Sequence, residues 1–308
     1  MRVIAMPMSP LAHWQHQASA ILSGLLGDWL ARRGNPLAVD MQFYRHGQPL
    51  APAAPTLDSQ PPRRSLILLI HGLTELESIW DFPGQRGTNY ATALCEGLGG
   101  EPLSLRYNTG CAIPDNGRAL ARQLDALVAA WPVPVENLVL IGHSMGGLLI
   151  RSACHYGEAA GHDWIRAVDS CVYLGSPHDG AWLARLAQGG AGVLQALPRD
   201  YLKAIGDVID LRSVGIRNLN QGQITDRPGE QPPLLATARH YAICGLLGKA
   251  RANPANWLFG DALVHEDSAR GKRQRSWQLT DQATFAGVDH IRLAHHPAVL
   301  EQLEDWLQ

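Results

Sequence analysis

The chain has 308 residues, of which 46% are apolar, enough to bury one large core or two ordinary ones. Its 26 basic and 28 acidic residues leave a formal net charge of −2, which gives no electrostatic drive toward nucleic acid or anionic lipid. Gly (31) and Pro (20) stay below the share of a low-complexity or collagen-like chain, and the 5 cysteines form neither a small secreted disulfide framework nor the CxxC pairs of a zinc site.

Apolar positions Trp14, Ala18, Ile21, Leu22, Leu25, Trp29 and Leu30 recur at helical spacing, and Gly34-Asn35-Pro36 ends that helix. Its polar face lacks the Lys/Arg density of a membrane-surface helix, so docking against the main domain is expected, with peripheral membrane contact as the weaker alternative. No apolar run approaches the roughly 18 residues that would span a bilayer. Pro7, Ser9, Pro10 and His13 interrupt any signal-peptide core, so a soluble, cytoplasmic protein is expected. Residues 48–64 are Pro-rich and read as an extended linker. The organisation expected is therefore an N-terminal helix and linker over 1–60 and a main domain over 61–308.

Beyond the linker, short apolar runs alternate with amphipathic stretches. Ser65–Ile70 (SLILLI) reads as a strand buried on both faces. Pro102–Tyr107, Asn137–Ile141, Ser170–Leu174, His240–Cys244 and Thr284–Val288 are candidates of the same kind, with helices expected over Asn89–Leu98, Asn116–Trp131, Met145–Tyr156 and Pro297–Leu307. Such alternation implies a mostly parallel sheet with helices on both faces. Ala181–Leu235 has helical spacing in pieces but no confident strand. A stretch this long inside an α/β domain is usually functional, and it reads as a cap or lid inserted between two strands.

Gly142-His143-Ser144-Met145-Gly146 follows the strand NLVLI and opens a helix. A G-x-S-x-G turn between strand and helix presents the serine hydroxyl at the sheet edge on a strained backbone, and its glycines leave room for the crossing chain. The bland alternative is a glycine-rich turn in which Ser144 is an N-cap. His71-Gly72-Leu73 follows the earlier buried strand. An ester carbonyl that turns negative on attack needs two preorganised donors, here the backbone N–H groups of Leu73 and Met145. His71 itself could act as a base but fits better as a loop-shaping imidazole bonded to backbone.

The acid and base are expected later, in the order Ser, Asp, His. Asp261 follows the strand HYAIC, and His290 follows TFAGV directly. His290 is preferred over His295 and His296, which precede Pro297 in a loop, and Asp289 is expected to make only a local contact. The loop Ser176-Pro177-His178-Asp179-Gly180 lies at the same sheet edge. His71, Gly72, His143, His178, Trp182 and Leu194 are the expected pocket residues. The cationic run from Arg270 to Arg275 reads as a solvated loop.

Taken together, SLILLIHGLTE, YNTGCAIPDNGRAL, ENLVLIGHSMGGLLIRSACHY, YLGSPHDGAW, GDALVHEDSA and GVDHIRLAHHPAV resemble, in order, the lipase/esterase branch of the α/β-hydrolase superfamily over about residues 65 to 308. The set is similar to bacterial triacylglycerol-lipase-like proteins and to the lipase-like domain of the GPI inositol-deacylase type. The resemblance implies an α/β-hydrolase fold, with a mostly parallel sheet of about eight strands, a helical cap over the site and no cofactor or metal. It implies carboxylic ester hydrolysis with Ser144 as nucleophile, Asp261 as acid, His290 as base, and Leu73 and Met145 as oxyanion donors. The substrate would be a small ester or a lipid. An acyltransferase or thioesterase with the same triad, and a non-catalytic binding protein of the same fold, are the alternatives. Acyl-chain length and oligomeric state are not readable.

Overall fold

The computed structural model describes residues 20, 23–55, 61–180, 213–246 and 277–308. Among them are eight strands in one sheet: β1 (Gln42–Arg45), β2 (Gln48–Leu50), β3 (Ser65–Ile70), β4 (Glu101–Arg106), β5 (Asn137–His143), β6 (Val168–Leu174), β7 (Arg239–Leu246) and β8 (Asp281–Ala286). The helices are α1 (residues 23–32), α2 (Tyr90–Leu98), α3 (Ile113–Ala130), α4 (Met145–Ala160), α5 (Val214–Gln221) and α6 (Pro297–Leu307). Spatial order is β2-β1-β4-β3-β5-β6-β7-β8. Only β1 runs antiparallel to its neighbours, β2 and β4; the pairs from β4 through β8 are parallel.

The unbroken apolar run of β3 follows from its position in the middle of that sheet. Leu66, Leu68 and Ile70 join the core beneath α3 and α4, with Leu120, Leu124, Leu149 and Ile150. Ile67 and Leu69 face the opposite core, with Tyr90 and Leu94 of α2 and Val299 and Leu303 of α6. Because side chains alternate across a strand, a centre strand needs apolar residues at every position. The helices end as their sequences dictate. Asn89 caps α2 in a reciprocal capping box with Thr92, and Gly99 terminates it in the left-handed conformation.

Strand order reverses around β3, with β4 on one side and β5 on the other. In open α/β sheets the crevice at such a reversal, outside the carboxyl ends of the strands, is where ligands bind. The loops after β3 and β5 are therefore neighbours. The chain from β8 also reaches this point, because it crosses over β7 at Gly245, where an added Cβ would lie 2.3 Å from the Val288 carbonyl oxygen.

Two expectations are corrected near the N-terminus. Residues 48–50, read as the start of a linker, are β2, and Gln42–Arg45, for which no strand was expected, is β1. The hairpin is short and its second strand carries Pro49, which obscures the alternation, yet Phe43 is fully buried and pairs with Leu50 and Leu105. Between β6 and β7 the described residues hold α5 and a coil; the rest of the expected cap, 181–212, lies outside them. No helix among the described residues is long and apolar enough to cross a membrane.

If the hairpin is part of the main fold, Phe43→Ala should cost about 3–5 kcal/mol, as for a buried core aromatic. Chemical denaturation should show it as a shift of the single main transition; an unchanged transition would make the hairpin an appendage.

Candidate active site

Ser144 stands at the turn from β5 into α4 with φ 53° and ψ −119°. That conformation is left-handed and costs a non-glycine residue about 1–3 kcal/mol. It persists because the turn is clamped. The Ser144 N–H donates to the Leu174 carbonyl on β6 at 2.8 Å, and the glycines on either side have no spare room. A Cβ at Gly142 would lie 2.6 Å from backbone atoms of Gly146 and Gly147, and one at Gly146 only 2.2 Å from the Ile70 carbonyl oxygen. The N-cap reading fails at one point: Ser144 occupies the N-cap position of α4, but its side chain makes no capping hydrogen bond. Its hydroxyl is left for other work, above a helix N-terminus whose free N–H groups favour negative charge.

Parallel pairing of Ile70 with Gly142 brings the β3 loop alongside this turn. A Cβ at Gly72 would sit 2.9 Å from Ser144 Cβ, so Gly72 flanks the serine and Leu73 is the next residue of the same loop. Met145, the first residue of α4, has an N–H with no intrahelical acceptor. The β3 loop is itself strained. Thr74 has φ 58°, rare for a β-branched residue, and its hydroxyl donates to the Leu73 carbonyl at 2.7 Å.

His290 arrives from the other side. It is buried, and its ring fills the space beside Gly175, where an added Cβ would meet Nδ1 at 2.9 Å. Its ring centroid lies 4.7 Å from that of His143. A chain of contacts joins the three loops: the Gly72 N–H donates to Glu75 Oε2 at 2.7 Å, His143 Nδ1 lies 2.9 Å from the same oxygen, and His143 Nε2 lies 2.9 Å from the His290 carbonyl oxygen. Burial pushes the Glu75 carboxyl up, but His143, the Gly72 N–H and His290 together hold it below the usual carboxylate range.

Four other histidines near these loops have their own surroundings. His71 is fully buried, its Nδ1 is 2.9 Å from the Gly72 carbonyl, and its ring stacks on Tyr107. Desolvation, the largest influence on it, lowers its pKa. His178 lies in a closed cluster against Tyr173 and Trp277, and desolvation holds it well below the ordinary imidazole value. His71, His143 and His178 are all fully buried. His295 Nδ1 is 3.0 Å from the Ile79 carbonyl, and His296 Nδ1 accepts the Ala298 N–H at the start of α6. Asp289 accepts the Arg292 N–H and so serves its own loop. Asp261, Trp182, Leu194 and the Arg270–Arg275 run lie outside the described residues. No group of residues suited to hold a metal ion occurs among the described residues.

Glu75 and Thr74 had no role in the sequence reading. The signal for Glu75 was a carboxylate three residues past Gly72 in a loop between buried elements, where an acidic side chain needs a partner. Nothing in the sequence marks Thr74 as left-handed.

Sheet order, the serine turn and the helices on both faces define the α/β-hydrolase fold. A family model described as the PGAP1-like alpha/beta domain matches residues 117–191. Among solved structures, the mature form of the lipase BlEst2 from Bacillus licheniformis is similar at a TM-score of 0.58 and 19% identity, covering 86% of this chain and 98% of that one. An alpha/beta hydrolase fold protein from Chitinophaga pinensis is similar at a TM-score of 0.51 and 12% identity, covering 80% of this chain and 90% of that one. A search of curated proteins returns no match.

Relief of the strained backbone gives a test of the turn. Ser144→Gly should unfold at a higher urea concentration than Ser144→Ala, by about 1 kcal/mol after the added chain entropy of glycine is subtracted. Equal midpoints would mean that the left-handed turn carries no strain.

Proposed function

We propose that this protein is a serine hydrolase that cleaves carboxylic esters through an acyl-enzyme on Ser144. One observation carries the reading: a serine held left-handed at the carboxyl end of β5, its hydroxyl not spent on capping α4, with a buried histidine delivered beside the same turn from β8. A fold needs no such strain for its own stability, and strained residues of this kind cluster where the geometry serves chemistry. The likeness to a bacterial lipase supports the fold of this reading, and the chemistry rests on the residues.

In the proposed reaction His290 takes the proton from the Ser144 hydroxyl as its oxygen attacks the ester carbonyl. Asp261 is the proposed acid that holds the imidazole in the attacking tautomer and stabilises its cation. The Leu73 and Met145 N–H groups receive the negative charge of the tetrahedral intermediate. Collapse expels the alcohol, which takes the proton from His290. A water molecule then attacks the acyl-enzyme, with His290 again as base. The segment 181–235 is proposed as the cap, with Trp182 and Leu194 contributing the acyl-binding surface.

A fluorophosphonate probe and a panel of esters of increasing acyl length test the reading. Ser144→Ala should lose probe labelling and ester turnover together, since both need the activated hydroxyl; full labelling of the alanine variant would remove Ser144 as nucleophile. Loss of His290 should cost several orders of magnitude in kcat, not additive with loss of Ser144, because the residues act as a unit. His295→Ala and His296→Ala should stay within a few-fold of wild type in kcat, since their rings serve Ile79 and the start of α6. An inactive His295 variant beside an active His290 variant would reassign the base.

A further inference from the structure

The mechanism above leaves the chemistry of His143 unused. Its ring is fully buried, and each nitrogen has an oxygen opposite it: Glu75 Oε2 at 2.9 Å from Nδ1 and the His290 main-chain carbonyl at 2.9 Å from Nε2. A carbonyl oxygen only accepts, and so does an ionised carboxylate. A neutral imidazole carries one N–H and one lone pair, so with an ionised Glu75 either tautomer would set a lone pair against an oxygen in a dry site. Burying unmatched polar atoms in that way is costly. An imidazolium donates to both.

We propose that His143 is held as an imidazolium ion-paired with Glu75, and that it is a positioning residue fixing the loop of His290 and the loop of Gly72 to Glu75 in register about Ser144. The kinetic consequence rests on the serine-hydrolase reading; the charge state does not.

The competing arrangement puts the shared proton on Glu75, whose acid group would then donate to Nδ1. The geometry favours the carboxylate. Glu75 Oε2 also accepts the Gly72 N–H at 2.7 Å, a bond that is stronger to an ionised oxygen. Among the described residues, His290 faces the His143 ring from the β8 loop, and Tyr107 and His71 lie on the Glu75 side, where Glu77 and Arg106 pair with each other. The Trp80 ring meets the His143 ring in a T-shaped contact. A buried ion pair is sustained only when hydrogen bonds satisfy both ends. Here the cation has two acceptors and the anion has two donors.

The test reads nitrogen protonation directly. In the full chain with 15N-labelled histidine, His143, assigned by its loss in His143→Gln, should show two protonated ring nitrogens at pH 7. It should keep them at pH 8, where an ordinary imidazole is neutral. In Glu75→Gln the ring should become neutral, with one pyridine-type nitrogen at pH 8. One pyridine-type nitrogen in the wild type at pH 7 would overturn the proposal, and this half of the test needs no turnover. For the positioning role, Glu75→Gln should slow the fluorophosphonate labelling rate of Ser144 about tenfold to a hundredfold, the cost of a small misplacement at the reacting groups. Glu75→Asp should recover part of that rate. A folded Glu75→Gln with the wild-type labelling rate would overturn the positioning role. If wild type itself fails to label while His143 is an imidazolium, the hydrolase reading falls and the charge assignment stands.

Discussion

The close approach of α4 to the end of β3 sets the geometry on which the rest of the site depends. A strand that turns into a helix within one residue must bring the first turn of that helix under the neighbouring strand. The Ile70 carbonyl oxygen would stand only 2.2 Å from a Cβ at position 146, so the contact exists only with glycine there. With α4 that close, Ser144 takes its left-handed φ at the turn. The serine is held at the sheet edge, largely buried, because the helix beneath it cannot move away. The strain is local, while the burial that holds it is spread over α4, where Leu148, Leu149 and Ile150 are all buried. A penalty of about 1–3 kcal/mol is small against the burial of three such side chains, each worth about 1.5–3 kcal/mol.

A strained turn alone would not organise a reaction, because the remaining groups come from loops after different strands. Here buried polar contacts substitute for a rigid element. Glu75, His143 and the His290 carbonyl form a continuous chain from the β3 loop through the β5 turn to the β8 loop. Each link is short and largely shielded from water, where a hydrogen bond is electrostatically stronger and an unpaired group more costly. Such a chain has one satisfied arrangement. Apolar packing between the same loops would tolerate sliding; polar pairing penalises it.

This division explains what was legible in the sequence. Strand β3 was readable because a strand buried on both faces must be apolar at every position, and Ser65–Ile70 has no competing helical length. The serine turn was readable because its steric demands select glycine at fixed offsets. Helix α6 was readable from Pro297 at its start and the periodicity after it. Strands β1 and β2 were not, because four and three residues are too few to show a period. The identity of Glu75's partner was also hidden. His143 is adjacent to Ser144 in sequence but 68 positions from Glu75, and only the parallel pairing of β3 with β5 brings them together. The full burial of His143 and His178 was hidden as well, since burial is a property of the whole sheet.

The N-terminal helix carries no catalytic motif, yet it bears on the same loops. Ser23 Oγ donates to Asn108 Oδ1, and the Asn108 side-chain amide donates to the Gly27 carbonyl. Where α1 passes the β3 loop, a Cβ at Gly24 would lie 2.4 Å from Thr74 Cγ2. The strained Thr74 is thus held from behind by α1 and through its N–H by the Thr109 hydroxyl, at 3.3 Å. Helix α5 completes the brace, with Ser213 Oγ donating to the Gly24 carbonyl and Asn218 accepting the Ile113 N–H. A left-handed threonine relaxes unless its surroundings leave it no alternative. Helices α1 and α5 supply that surrounding for the loop that carries Leu73, and the shape of the loop beside Ser144 depends on them.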